Sequence, residues 1–101
     1  MKRPHIINRI KQIVPSLPNT EVWLYGSEAR GDARNDSDID LLVLMDVPRI
    51  ALEDRMNINR YFNDIELETG VMINTFIQTR QKWGASHSDF HNNVIKDYIA
   101  L

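Results

Sequence analysis

Gly26-Ser27-Glu28-Ala29-Arg30-Gly31-Asp32-Ala33-Arg34-Asn35-Asp36-Ser37-Asp38-Ile39-Asp40-Leu41 is the stretch on which the reading of this 101-residue chain turns. Before it, Glu21-Val22-Trp23-Leu24-Tyr25 is a short β-rich run that stops at Gly26. At its end, Asp38 to Met45 reads as a second strand closed by Pro48, with Ile39, Leu41, Val43 and Met45 on one face. Asp38 and Asp40 fall on the other face, one pleat apart. A small-residue turn at one strand end is therefore followed, after ten residues, by a pair of carboxylates on the next strand.

Working outward, Ile6, Ile7, Ile10, Ile13 and Val14 recur at helical spacing and predict an amphipathic helix over residues 5–14. Pro4 suits its first turn, and Pro15 and Pro18 end it. Ser27 to Asp36 is polar and reads as a turn or short helix. Ile50 to Thr69 reads as the longest helix, with Leu52, Met56, Ile58, Phe62 and Ile65 on or near one stripe and Gly70 as a left-handed stop. Val71 to Gln78 is a third strand, with Val71, Ile73 and Ile77 on one face and Met72, Asn74 and Phe76 on the other. Arg80 to Ala85 should be a short helical turn, and Ser86 with Asp89 should cap a last helix running to about Ala100. This order predicts an α+β (α/β) fold, a small mixed sheet of three or more strands with helices packed on its apolar face. The face carrying Asp38 and Asp40 would be left open.

Bulk properties narrow the classes. A chain of this size buries about 60–70 % of its unfolded surface, so residues 1–101 are expected to form one domain. A formal net charge of −2 gives no basic footprint for nucleic acid, and direct nucleic-acid binding is not expected. The absence of cysteine excludes a disulfide scaffold and sits most easily with a cytoplasmic setting. No run approaches the ~20 apolar residues of a membrane span, so no membrane partner is expected.

The chemistry of the quoted stretch is specific. Gly26 lets the backbone bend sharply and approach a ligand, and Ser27 adds a hydroxyl and an amide to the same hollow. Arg30 can offer a positive fork to a phosphate oxygen. Asp38 and Asp40 repel each other unless a divalent cation lies between them, and magnesium prefers carboxylates together with phosphate oxygens. Taken singly, Gly-Ser is a turn, Asp-x-Asp a solvated strand end and Arg30 a surface residue. Their joint spacing favours a nucleoside-triphosphate site with metal-assisted attack at the α-phosphorus.

These residues, Gly26-Ser27-x-Ala29-Arg30-Gly31 running on to Ser37-Asp38-Ile39-Asp40-Leu41, resemble the nucleotidyltransferase superfamily that includes DNA polymerase beta. Most specifically they are similar to the minimal nucleotidyltransferase (MNT) proteins of the MntA antitoxin type, and the ending from Trp83 through Asn93, Ile95 and Leu101 looks like a subgroup of such domains. The resemblance covers almost the whole chain. It implies that Gly26 and Ser27 hold the triphosphate of ATP and that Asp38 and Asp40 carry magnesium, two ions in all. It also implies a HEPN-domain toxin as partner, silenced by AMP placed on a tyrosine. The family places a third carboxylate on the next sheet strand. Alternation puts Asn74 there, and an amide cannot accept a proton from an attacking hydroxyl.

Two functions therefore compete: an adenylyl-transferring enzyme, and a catalytically weak module that neutralises its partner by contact. Glu66 and Glu68 could replace the missing carboxylate, though a late helix position argues for solvation. His5, His87 and His91 form no metal pattern, Trp23 and Trp83 read as packing residues, and Arg3, Arg9 and Lys11 as a solvated face. So small a domain with an open sheet face is also a candidate for self-association.

Overall fold

The strand that carries Asp40 is the best-buried element among the described residues. In the computed structural model, which describes residues 3–101, β2 (Ile39–Met45) has Ile39, Leu41, Leu42 and Val43 wholly inaccessible to solvent. β1 (Thr20–Tyr25) pairs with it antiparallel, Tyr25 opposite Asp40, and β3 (Ile73–Thr79) pairs with it parallel, Asn74 opposite Asp40. A fourth strand, β4 (Ile99–Ala100), lies antiparallel on the far side of β1, so the sheet order is β3-β2-β1-β4. The mixed sheet expected from the sequence is present.

The alternation in β2 divides the molecule. Ile39, Leu41, Val43 and Met45 join Val22, Leu24 and Ile73 in the main core. That core is closed by Ile6, Ile7, Ile10 and Ile13 of α1 (Pro4–Ile13) and by Ile58, Phe62 and Ile65 of α3 (Leu52–Thr69). A 3-10 turn, Val14–Ser16, begins where Pro15 interrupts α1. Gly70 ends α3 at φ 74, its N–H donating to the Glu66 carbonyl, as the glycine stop required. Leu52 and Met56 are not core residues: they are 73 % and 57 % exposed. At about 100° per residue they sit some 120–160° round the helix from Ile58, beyond the reach of the sheet.

The opposite face is not left wholly open. α4 (Arg80–Gly84) and α5 (Asp89–Asp97) bring Trp83 and Val94 over Leu42 and Leu44, making a second small core edged by Trp23, Tyr25 and Tyr98. The last helix is capped by Ser88, whose Oγ accepts from the His91 N–H, rather than by Ser86. It also stops at Asp97, short of the expected end. Tyr98 stacks on Trp23 with centroids 4.2 Å apart, and the following residues pair with β1, the Leu101 N–H donating to the Val22 carbonyl at 2.8 Å. Sheet pairing satisfies these backbone groups, which a frayed helix end would leave to water. Among the described residues no helix is long and apolar enough to cross a membrane.

Candidate active site

Register places three side chains in a row across adjacent strands: Tyr25 on β1, Asp40 on β2 and Asn74 on β3. Asp38, just before β2, joins them from the same side. The Asn74 Nδ2 donates to Asp38 Oδ2 at 3.0 Å and to Asp40 Oδ1 at 3.2 Å, so one amide bridges both carboxylates. The NH2 end must face them, because carboxylates accept and do not donate. Asp38 and Asn74 are exposed and Asp40 is half-buried. Among the described residues, no group of three or more His, Cys, Asp or Glu side chains converges here or elsewhere.

Gly26 completes this corner. It has φ 73, and a Cβ built on it would stand 2.6 Å from Asp40 Oδ2. The turn after β1 therefore lies directly against the Asp40 carboxylate, closer than any residue with a side chain could come. From there α2 (Gly26–Arg30) runs to Gly31, which stops it at φ 83. Gly26→Ala would meet both a left-handed backbone and the Asp40 carboxylate. The expected result is a loss of about 1–3 kcal/mol in urea unfolding; an alanine variant as stable as the parent would show that the close approach is unimportant.

The two halves of the corner are tied together by a residue that sequence reasoning placed in solvent. Arg3 is only 5 % exposed. Its Nε donates to Glu28 Oε1 at 2.6 Å, in the middle of α2, and its Nη1 donates to the Ser37 carbonyl at 2.6 Å, immediately before Asp38. Glu28 is completely buried, and Ser37 closes the preceding turn by accepting from the Arg34 N–H at 2.9 Å. The available signal was Glu28 itself, a charged residue at the inward position of a short helix, where a buried carboxylate demands a cation. Its partner 25 positions upstream carried no local mark.

Other candidates fall differently. Ser27 follows Gly26 in the first turn of α2, while Arg30 faces outward, its Nε 3.4 Å from Asp32 Oδ2. Glu66 accepts from the Ile73 N–H at 2.8 Å and so fastens the start of β3, and Glu68 pairs with Arg9 at 2.9 Å on the surface. Burial, and then the Asp40 carboxylate, push the Tyr25 hydroxyl above its ordinary range. It therefore remains a neutral phenol beside the acidic pair at working pH. A hollow of about 430 Å³ between the 3-10 turn and α3 shares no residue with this row.

Comparison with known proteins agrees with this architecture. The sequence profile of the nucleotidyltransferase domain matches residues 5–98. A Methanocaldococcus jannaschii relative named as a protein adenylyltransferase is 31 % identical over 95 residues, covering 87 % of this chain and 89 % of the relative. The Haemophilus influenzae relative named as the protein adenylyltransferase MntA is 27 % identical over 93 residues, covering 91 % of this chain and 75 % of the relative. A solved complex of a tri-AMPylated Shewanella oneidensis HEPN toxin with an MNT antitoxin matches with a TM-score of 0.58 at 14 % identity, covering 99 % of this chain and 71 % of the matched one. At that identity the likeness concerns the fold alone. With its profile matched over residues 5–98 and its Gly26 turn set against the Asp40 carboxylate, this chain belongs to the nucleotidyltransferase-domain family.

Proposed function

We propose that this chain binds ATP with Mg²⁺ and transfers AMP to a protein hydroxyl, a tyrosine of a HEPN-domain toxin, as the antitoxin of such a pair. The observation that carries this reading is the contact between the Gly26 turn and the Asp40 carboxylate, with Asp38 beside it. A ligand that is both polyanionic and metal-bound fits that corner, and a triphosphate is such a ligand. The adenylyltransferase relatives support the reaction, and the Shewanella complex supports the class of partner.

Gly26 and Ser27 take the triphosphate, since a turn without a side chain admits phosphate oxygens to within reach of the backbone. Arg30 exchanges its exposed Asp32 contact for a phosphate oxygen, a stronger partner for a guanidinium. Asp38 and Asp40 offer hard oxygen donors that suit Mg²⁺. Bound there, Mg²⁺ would neutralise charge on the triphosphate and favour departure of pyrophosphate. The acceptor oxygen forms a bond to the α-phosphorus while the bond to the pyrophosphate oxygen breaks. Asn74 holds the two carboxylates in register, but its amide cannot take the hydroxyl proton, which leaves to water.

Incubation with labelled ATP, Mg²⁺ and the HEPN partner tests the reading. The expected result is label on a partner tyrosine, absent without Mg²⁺. In the same assay Asn74→Asp is expected to speed transfer by about 10²-fold, the low end of general-base help. A specific observation favours a second reading: the third position is an amide, and no further acidic side chain joins it among the described residues. A partner held tightly yet left unlabelled by both proteins would replace transfer with neutralisation by contact.

A further inference from the structure

Next to the acidic row runs a second row on the same face, in which Trp23, Leu42 and Phe76 are partners across β1, β2 and β3. Two residues along a strand span about 7 Å, so Phe76 stands one step from Asn74. α5 lays Phe90 over this row. Its ring centroid is 5.0 Å from that of Phe76, 5.7 Å from that of Tyr25 in an edge-on contact, and 6.1 Å from that of Trp83. Trp83 is buried beside both rings, its centroid also 6.2 Å from that of Phe76. Phe76 and Phe90 nonetheless remain 38 % and 39 % exposed. Two phenyl rings kept partly wet, beside the row where a triphosphate would bind, are an apolar surface that a planar ligand would cover.

We propose that Phe76 and Phe90, whose ring planes lie 49° apart, form an apolar shelf on which a base stacks against one ring and meets the other at its edge, the phosphates of the same nucleotide lying at Gly26, Asp38 and Asp40. The proposal rests on the phosphate-and-metal reading of that corner and adds to it how the base is held. Stacking on phenyl rings suits any base, because every base has a π-face. Phenyl rings carry no hydrogen-bonding group with which to read a base edge. The shelf therefore prefers the larger purines to pyrimidines and distinguishes little between adenine and guanine.

Calorimetric titration of the full chain in Mg²⁺ with ATP, GTP, CTP and inorganic tripolyphosphate tests this. ATP and GTP are expected to bind about tenfold or more tightly than tripolyphosphate, with CTP between them. Phe90→Ala and Phe76→Ala should each bring ATP down toward the tripolyphosphate affinity while leaving tripolyphosphate itself unchanged, which also shows that the variants are folded. Phe90→Trp should keep the purine advantage. A parent that binds tripolyphosphate as tightly as ATP overturns the shelf and spares the phosphate site, as does an ATP affinity indifferent to both alanine variants. A parent that binds neither ligand overturns the phosphate reading, and the shelf with it.

Discussion

Arg3→Ala is expected to destabilise the chain by about 3–5 kcal/mol, the usual cost of removing one partner from a buried ion pair. The Arg3 and Glu28 side chains are 6 % and 0 % exposed and meet at 2.6 Å. Taking away the guanidinium leaves a carboxylate in the interior without this cation and deprives the Ser37 carbonyl of its donor. At about 4–8 °C per kcal/mol for a domain of this size, the melting temperature should fall by about 12 °C or more. The proposed nucleotide binding should weaken as well, because α2 and the segment entering Asp38 lose the tie between them. A double variant, Arg3→Met with Glu28→Leu, should recover much of the stability, since a well-packed apolar pair often equals a buried ionic one. What it fails to recover includes the contacts that Arg3 makes with the Ser37 and Asn35 carbonyls. An Arg3→Ala protein as stable as the parent would show that the clamp contributes nothing.

Asp40→Asn is expected to act in the opposite sense on stability and function. It keeps the shape of the side chain and removes one of two neighbouring negative charges. In the proposed reaction that charge holds Mg²⁺ against the triphosphate, so AMP transfer should fall by at least about 10²-fold, the scale on which single electrostatic contacts to a transition state are lost. Without Mg²⁺ the variant should melt at the same temperature as the parent or higher, since Asp38 no longer faces a like charge. The parent should be stabilised by Mg²⁺ with a non-hydrolysable ATP analogue, and the variant should not. Transfer that survives Asp40→Asn within severalfold of the parent would remove this carboxylate from the chemistry. A variant that loses transfer only because it unfolds would reveal itself in the melting temperature.

Much of this corner was legible from the chain because its parts lie within one short stretch. The left-handed glycine, the strand alternation and the ten-residue spacing are local properties, and local sterics decide them. Alternation in β3 likewise placed Asn74 on the face of Asp40, and the parallel register sets the two opposite each other. Periodicity was a poorer guide in α3, where Leu52 and Met56 match the apolar type but not the angular position of Ile58, Phe62 and Ile65. It failed at the C-terminal end, where helical residues up to Asp97 hand over to a strand because Tyr98 finds Trp23.

The chain alone determined the turn, the acidic strand and the order of elements, since each depends on residues within a few positions of one another. Folding decided what no local pattern encodes: that Arg3 is buried against Glu28, that Phe90 comes to rest beside Phe76, and that the sheet gains a fourth strand. Those pairings join residues separated by 14 to 77 positions. Their energies come from burial and desolvation, which exist only once the intervening chain has closed the surrounding space.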